Sequence, residues 1–129
     1  MAKLMTGDER FTCPCCGHLS FSEPPGSYDI CEICYWEDDL VQLRDPRYAG
    51  GANVASLLDA QVNFAAHGWC EERVAPHVRP AMPSEARDPT WRRIEPDSTD
   101  LEPVQGSIWI GDQPDLDKLY YWRRRRPTT

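Results

Sequence analysis

The sequence contains no apolar run of the roughly 20 residues that a membrane-spanning helix needs, and its mean hydropathy is -0.62. Its opening residues, Met1–Thr6, also lack the apolar segment of a secretory signal peptide. We therefore expect a cytoplasmic protein with no membrane partner. Because thiols stay reduced in the cytosol, paired cysteines there indicate a metal site more often than a disulfide.

Catalytic motifs are also lacking. The sequence shows no Ser-His-Asp or Cys-His set, and Gly50-Gly51 lacks the lysine and the Ser or Thr of a phosphate-binding loop. Four carboxylates lie within nine residues, from Glu37 to Asp45, but no histidine accompanies them. We interpret this run as a solvated acidic loop or an acidic face for a basic partner, in preference to a cation site or an acid–base pair, and we predict that the protein is not an enzyme.

Basic residues are scarce in the first 122 positions. Residues 1–72 contain 12 acidic and 4 basic side chains, and residues 73–122 contain 9 acidic and 6 basic ones. The four arginines Arg123–Arg126 bring the formal net charge to -7. An acidic body repels the phosphates of nucleic acids, whereas it suits a basic protein partner.

Cysteine is abundant, with six residues in 129. Cys13 and Cys16 form one Cys-x-x-Cys pair, and Cys31 and Cys34 form a second pair after 14 intervening residues. Two such turns can place four thiolates around one ion, so we predict a structural zinc site with these four ligands. Rubredoxin-type iron uses similar paired turns, and the choice between zinc and iron stays open.

Cys15 lies between the two ligands of the first turn and is an alternative ligand to them. We expect that Cys15 does not bind the metal, because a Cys-x-x-Cys turn directs its first and last sulfurs to one point. Cys15 and His18 could join His67 and Cys70, whose spacing is workable at a helix end, in a second site. Nothing but composition brings these parts together, and we do not predict that site.

The elements around the cysteines are predicted to be short. Phe11–Thr12 and Leu19–Phe21 should pair as a half-buried hairpin around the first metal turn, and Val41–Leu43 should form another short strand. A covering helix should begin after an N-cap at Asn53 or Ser56 and stop at a glycine. Its apolar face should comprise the following residues, with Gln61 as the one polar exception: Val54, Leu57, Leu58, Val62 and Ala65.

Six prolines between residues 71 and 106 exclude a long helix there. We expect an extended arm with turns and with Trp91 as its large apolar anchor, then a strand over Ser107–Gly111 and a helix from about Pro114 to Arg126. The predicted fold class is α+β. A zinc-ribbon-like hairpin with a covering helix occupies residues 1–72, and a proline-rich extension, residues 73–129, packs on it and ends in a strand and a short helix.

Several of these motifs occur together in a known family. They are Cys13–Gly17, with the sequence Cys-Pro-Cys-Cys-Gly, then Gly26–Cys34, Trp36–Asp39, Gly50–Leu57 and Asn63–Phe64. In this combination the chain resembles the CPCC cysteine-rich family of small, mostly bacterial proteins, over about residues 11–70. The resemblance implies metal binding by the cysteines and no defined biochemical activity.

Our leading hypothesis is a non-enzymatic, zinc-stabilised protein-interaction module, for example an antitoxin or immunity protein against a basic toxin. We expect exposed aromatic residues, among them Tyr35, Trp69 and Trp91, to meet the partner. The predicted partner-binding residues are Trp36, Glu37, Asp38, Asp39, Arg123, Arg124, Arg125 and Arg126.

Two alternatives belong to other classes of protein. A rubredoxin-like electron carrier, or a thiol redox switch that uses Cys15, would employ the same cysteines. Nucleic-acid binding would employ Arg123–Arg126 together with the aromatic run Tyr120–Trp122, but the acidic remainder of the chain disfavours it. The sequence gives no indication of the oligomeric state.

Overall fold

The computed structural model describes residues 9–124, and its regular elements are short. Strands β1 (Phe11–Thr12) and β2 (Leu19–Phe21) pair antiparallel with an irregularity in the register, as the alternation of apolar residues predicted. Helices α1 (Leu40–Arg44) and α2 (Leu57–His67) follow. None of the helices in the described part of the chain has the length and apolar character that a membrane crossing requires.

The second half of the chain consists mostly of turns. Strands β3 (Trp109–Ile110) and β4 (Gln113–Pro114) form a second antiparallel hairpin, and α3 (Leu116–Leu119) follows it. Up to residue 124, three segments of this half form 3₁₀ helices: Glu72–His77, Thr99–Leu101 and Tyr121–Arg123. Small hairpins combined with a few helices confirm the α+β class.

The ends of α2 follow the local signals. The Ser56 hydroxyl caps the first turn by accepting a hydrogen bond from the Asp59 amide at 3.1 Å. Gly68 ends the helix in the left-handed conformation, with φ of +83°. Asn53, the other predicted cap, instead joins two loops: its amide group bonds to the Glu37 backbone and to the Gln42 side chain.

The predicted apolar face of α2 is wrong in part. Val54 is 64 % exposed and Val62 is 52 % exposed, whereas Leu57, Ala60 and Gln61 are the buried residues of the helix. The face that the helix turns toward the core is therefore the one that contains Gln61, the residue that the pattern treated as an exception. A buried amide is tolerated because all of its polar atoms find partners, as described below.

Val41–Leu43 was predicted to be a strand and is the middle of α1. The Asp39 carboxylate accepts hydrogen bonds from the amides of Val41 at 2.8 Å and Gln42 at 3.4 Å, which starts a helix rather than a strand. The fully buried Gln42 side chain then donates to backbone carbonyls of the following loop, at Tyr48, Asn53 and Ala55.

The C-terminal elements are shorter than predicted. The strand comprises two residues of Ser107–Gly111, and the long helix is replaced by α3 and the last 3₁₀ helix. The chain leaves helical geometry at Tyr120, where ψ is 109°. This break lets three consecutive aromatic residues enter the core, where each is at most 8 % exposed: Tyr120, Tyr121 and Trp122.

One core cluster contains residues from both halves of the chain. The first half contributes the cysteines of both Cys-x-x-Cys pairs with Trp36 and Leu57, and the second half adds its aromatic run, Tyr120–Trp122. The apolar residues that the arm and its neighbours bury in the same cluster are Val74, Ile94, Leu101, Val104 and Ile108. The division of the chain at residue 72 into two units stays a prediction.

Candidate metal centre

Four cysteine sulfurs converge on one point between the two predicted metal turns. The Sγ atoms of Cys13, Cys16, Cys31 and Cys34 all lie within 4.8 Å of one another, and all four residues are fully buried. Cys13 and Cys34 are 3.6 Å apart at sulfur, and Cys16 and Cys31 are 3.8 Å apart. Four sulfurs about 2.3 Å from a central zinc ion at tetrahedral angles would be about 3.8 Å apart. These two distances therefore match the sulfur separation of a metal tetrathiolate, and all of the pairs lie within 4.8 Å.

The two turns that present these sulfurs are built in the same way. In the first knuckle, residues 13–18, Cys13 donates its amide to His18 and accepts from the Gly17 amide. In the second knuckle, residues 31–36, Cys31 donates to Trp36 and accepts from the Tyr35 amide. The fifth residue of each knuckle has positive φ, +81° at Gly17 and +68° at Tyr35. Each pair of cysteines is thus held by an identical backbone turn.

Electrostatics inside the cluster favour a bound cation. Burial raises the pKa of Cys13 and Cys34 well above the ordinary thiol value, because a buried thiolate loses its hydration. Hydrogen bonds from Cys13 and the other cluster thiols lower the pKa of Cys31, whose sulfur also lies 3.0 Å from the Ser20 hydroxyl. Four thiolates in so small a volume repel one another, and a divalent metal offsets that repulsion.

Cys70 and the arm that follows it close over both knuckles through backbone hydrogen bonds. On the second knuckle, Cys70 donates to Cys34 at 3.0 Å and Arg79 donates to Ile33 at 3.3 Å. On the first, Asp88 donates to Gly17 at 2.8 Å. These bonds hold the residues after α2 against the two knuckles, whose four cysteines are fully buried.

Gln61 connects the first knuckle to two distant parts of the chain. Its side-chain amide donates to the Pro14 carbonyl and to the Tyr121 hydroxyl, at 2.8 Å in each case, and its carbonyl accepts from the Ile94 amide at 2.9 Å. The Tyr121 hydroxyl in turn donates to the Arg92 carbonyl. Sequence reasoning missed this role, and its only signal was a glutamine at a position where the helical pattern expects an apolar residue.

Cys15 lies outside the four-sulfur cluster although it is only 1 % exposed. Burial raises the pKa of its thiol and that of Cys70, which is also buried. His18 bonds through Nδ1 to the Glu85 carbonyl at 2.7 Å. Within residues 9–124, the four-cysteine cluster is the one group of three or more candidate ligands close enough to share an ion.

The predicted acidic partner-binding run is mostly buried. Trp36 is 1 % exposed, Asp38 is 4 % exposed and Asp39 is 8 % exposed. Asp39 caps α1, and the Asp38 carboxylate accepts from three consecutive backbone amides, those of Gly26, Ser27 and Tyr28. Asp38 therefore holds a loop, Asp39 holds a helix end and Trp36 belongs to the core, so the interpretation of the run as a solvated acidic loop is corrected. Glu37 is partly exposed.

The predicted arginine cluster is described in part. Arg123 is exposed and stacks over the Tyr120 ring at 5.2 Å, and Arg124 donates to the carbonyls of Lys118 and Glu102. Arg125 and Arg126 lie outside the described residues. The neighbouring aromatic run is buried, so these rings cannot stack on nucleic-acid bases in this structure.

Comparison with known proteins adds one finding. The model of the family described as "Cysteine-rich CPCC" matches residues 11–85, which is more than half of the chain and reaches beyond the motifs recognised in the sequence. No curated protein matches the chain.

Proposed function

The chain belongs to the cysteine-rich CPCC family, and from this premise we propose that Cys13, Cys16, Cys31 and Cys34 bind one structural zinc ion. The observation that supports the proposal is the buried set of four sulfurs with the separation of a tetrathiolate. Zinc is the usual metal in a closed site of four cysteines. The ion would contribute folding free energy to a fold with very short regular elements.

We further propose that the protein is a cytoplasmic, non-enzymatic interaction module with a protein partner. A site closed by four thiolates and shielded from solvent has no open position for a substrate water, which argues against metal catalysis. The formal net charge of -7 supports a basic partner, such as the toxin of an antitoxin or immunity pair. Since Trp36, Asp38 and Asp39 are buried, the partner would contact other acidic surface.

Native mass spectrometry of protein purified without added metal tests the zinc proposal. We expect one zinc ion per chain, its loss in Cys31→Ser, and loss of cooperative unfolding in the same variant. Cys70→Ser is the matched control, because Cys70 is equally buried but lies outside the cluster. It should retain the ion even though a buried hydroxyl costs some stability. Zinc retained in Cys31→Ser would contradict the ligand set.

The same experiment separates zinc from the redox alternative. A ferric tetrathiolate is red and would appear as one iron ion per chain, and this result would favour an electron carrier with the same ligands. Disulfide-linked cysteines without metal would instead favour a thiol switch. For the interaction proposal, pull-down with the zinc-loaded protein should recover a basic partner, and a partner that binds only the metal-free chain would contradict it.

A further inference from the structure

A cavity of about 300 Å³ lies beside the first knuckle, between α2 and the arm. Arg87 and Arg93 line it, together with the rings of Trp91 and Phe64, and none of the described residues that line it is acidic. This is a cationic site on a chain whose formal net charge is -7. A pocket with a few convergent polar groups and apolar walls is the usual form of a small-molecule site.

The Arg87 guanidinium is held in place before any ligand arrives. Its Nε donates to the Cys16 carbonyl at 3.1 Å, and its central carbon lies 5.3 Å from the centroid of the Trp91 ring. Trp91 is itself fixed, because its Nε1 donates to the Pro14 carbonyl at 3.1 Å and its ring packs directly against Gly17. The knuckle therefore positions the arginine, which lowers the entropy cost of binding a ligand.

Neither arginine is neutralised within residues 9–124. The side chains of Arg87 and Arg93 form no ion pair with a carboxylate there, in contrast to Arg79, which pairs with Glu85, and Arg92, which pairs with Asp100. Among the described residues, no acceptor engages the terminal nitrogens of either guanidinium group, so these nitrogens can donate to a ligand. Planar guanidinium groups are the preferred partners of carboxylate and phosphate oxygens, with which they form paired, charge-assisted hydrogen bonds.

We propose that this cavity binds a small organic anion. Its carboxylate or phosphate group lies between Arg87 and Arg93, and its apolar body lies against Trp91 and Phe64. The two aromatic walls and the volume both exceed what an inorganic anion needs, so an organic body adds burial of apolar surface to the charge interaction. This binding activity goes beyond the structural zinc site and is tested separately from it.

Titration of the zinc-loaded protein with phenyl phosphate, benzoate and inorganic phosphate at constant ionic strength tests the proposal. Two-dimensional NMR follows the indole N–H of Trp91 and the Nε–H groups of Arg87 and Arg93, and calorimetry gives the Kd. We expect saturable shifts of these signals, with phenyl phosphate or benzoate bound more tightly than inorganic phosphate.

The variants assign the binding to the cavity. Arg87→Gln and Arg93→Gln should each weaken binding about tenfold or more, the usual loss when a charged hydrogen bond is removed. Arg87→Lys should lose less, because it keeps the charge but not the planar fork. The control Arg47→Gln removes an exposed arginine that does not line this cavity and should leave the Kd unchanged.

Mass spectrometry of each variant verifies that the metal content is the same, so a lost anion site is distinguished from a lost metal site. The proposal is overturned if none of the three anions binds saturably. It is equally overturned if Arg87→Gln and Arg93→Gln bind as tightly as Arg47→Gln. Equal affinity for phenyl phosphate, benzoate and inorganic phosphate would overturn the role of the apolar walls.

Discussion

Replacing Gly17 with alanine measures how strongly the first knuckle depends on its contact with Trp91. An added Cβ at Gly17 would lie 2.5 Å from two carbon atoms of the Trp91 ring, and φ there is +81°. Gly68 has almost the same φ, +83°, but nothing lies within 4 Å of its added Cβ. Gly68→Ala is therefore a control that introduces the backbone strain without the collision.

The expected effect is the difference between these two variants. Alanine at positive φ costs about 1–2 kcal/mol, and both variants share this cost. Gly17→Ala must also displace the Trp91 ring and its hydrogen bond to Pro14. Overpacking at a rigid site costs about 1–3 kcal/mol, and one lost hydrogen bond costs about 1 kcal/mol. We therefore expect Gly17→Ala to lower the free energy of unfolding by about 2–4 kcal/mol more than Gly68→Ala.

Urea denaturation at a fixed free zinc concentration, followed by circular dichroism, measures both variants. A double-mutant cycle with Trp91→Ala separates the collision from the strain, since the extra cost of Gly17→Ala should shrink when the ring is absent. Equal losses for Gly17→Ala and Gly68→Ala, or no coupling to Trp91→Ala, would refute the reasoning.

Three other perturbations test separate parts of the structure. Gln61→Leu should lower the free energy of unfolding by about 1–3 kcal/mol, since it leaves the buried Ile94 amide without an acceptor, while Pro14 and Tyr121 keep their bonds to Trp91 and Arg92. Chemical denaturation beside the exposed control Gln113→Leu measures this, and equal losses would count against it. Burial raises the pKa of Asp100, but hydrogen bonds from Arg92 and a backbone amide outweigh it and hold the pKa below the usual value. Because the pKa of Asp100 is lower in the folded state, its carboxylate stabilises the protein at every pH above the unfolded-state pKa of about 3.9. This stabilisation is lost as the pH falls through the folded-state pKa. Asp100→Asn should thus lower the free energy of unfolding by about 2 kcal/mol at neutral pH. Its melting temperature should approach that of the parent protein in acid, and a difference in melting temperature that stays constant at all pH values would contradict this. Finally, burial raises the pKa of the Cys70 thiol, so iodoacetamide should alkylate Cys70 far more slowly than it alkylates free cysteine. Peptide mapping at successive times of reaction measures this rate, and rapid labelling of Cys70 in the folded protein would disprove the prediction.

Local spacing predicted the parts of the site that depend on neighbours in sequence. Two Cys-x-x-Cys pairs predicted a four-cysteine site because each pair is one turn, and the structure brings these cysteines together. The Ser56 cap and the stop at Gly68 were equally local. These signals need no knowledge of the remainder of the chain.

The errors arose where distant residues decide the outcome. Gln61 is buried because its partners come from residue 14 and from residues 94 and 121, which no helical pattern can reveal. Val41–Leu43 alternates like a strand, but the Asp39 side chain caps the first turn of a helix, α1, which is only five residues long. Asp38 is buried although it is acidic, because the backbone amides of Gly26 and Ser27, more than ten residues earlier, donate hydrogen bonds to its carboxylate.

The closure of the arm over both knuckles has a consequence for the rate at which metal is exchanged. A chelator cannot reach sulfurs that are fully buried until the segment that bonds to Gly17, Ile33 and Cys34 moves away. Exchange should then follow the rate of this local opening rather than the strength of the metal–sulfur bonds. The residence time of the ion would be insensitive to chelator concentration, and weakening the arm would shorten it without any change to a ligand.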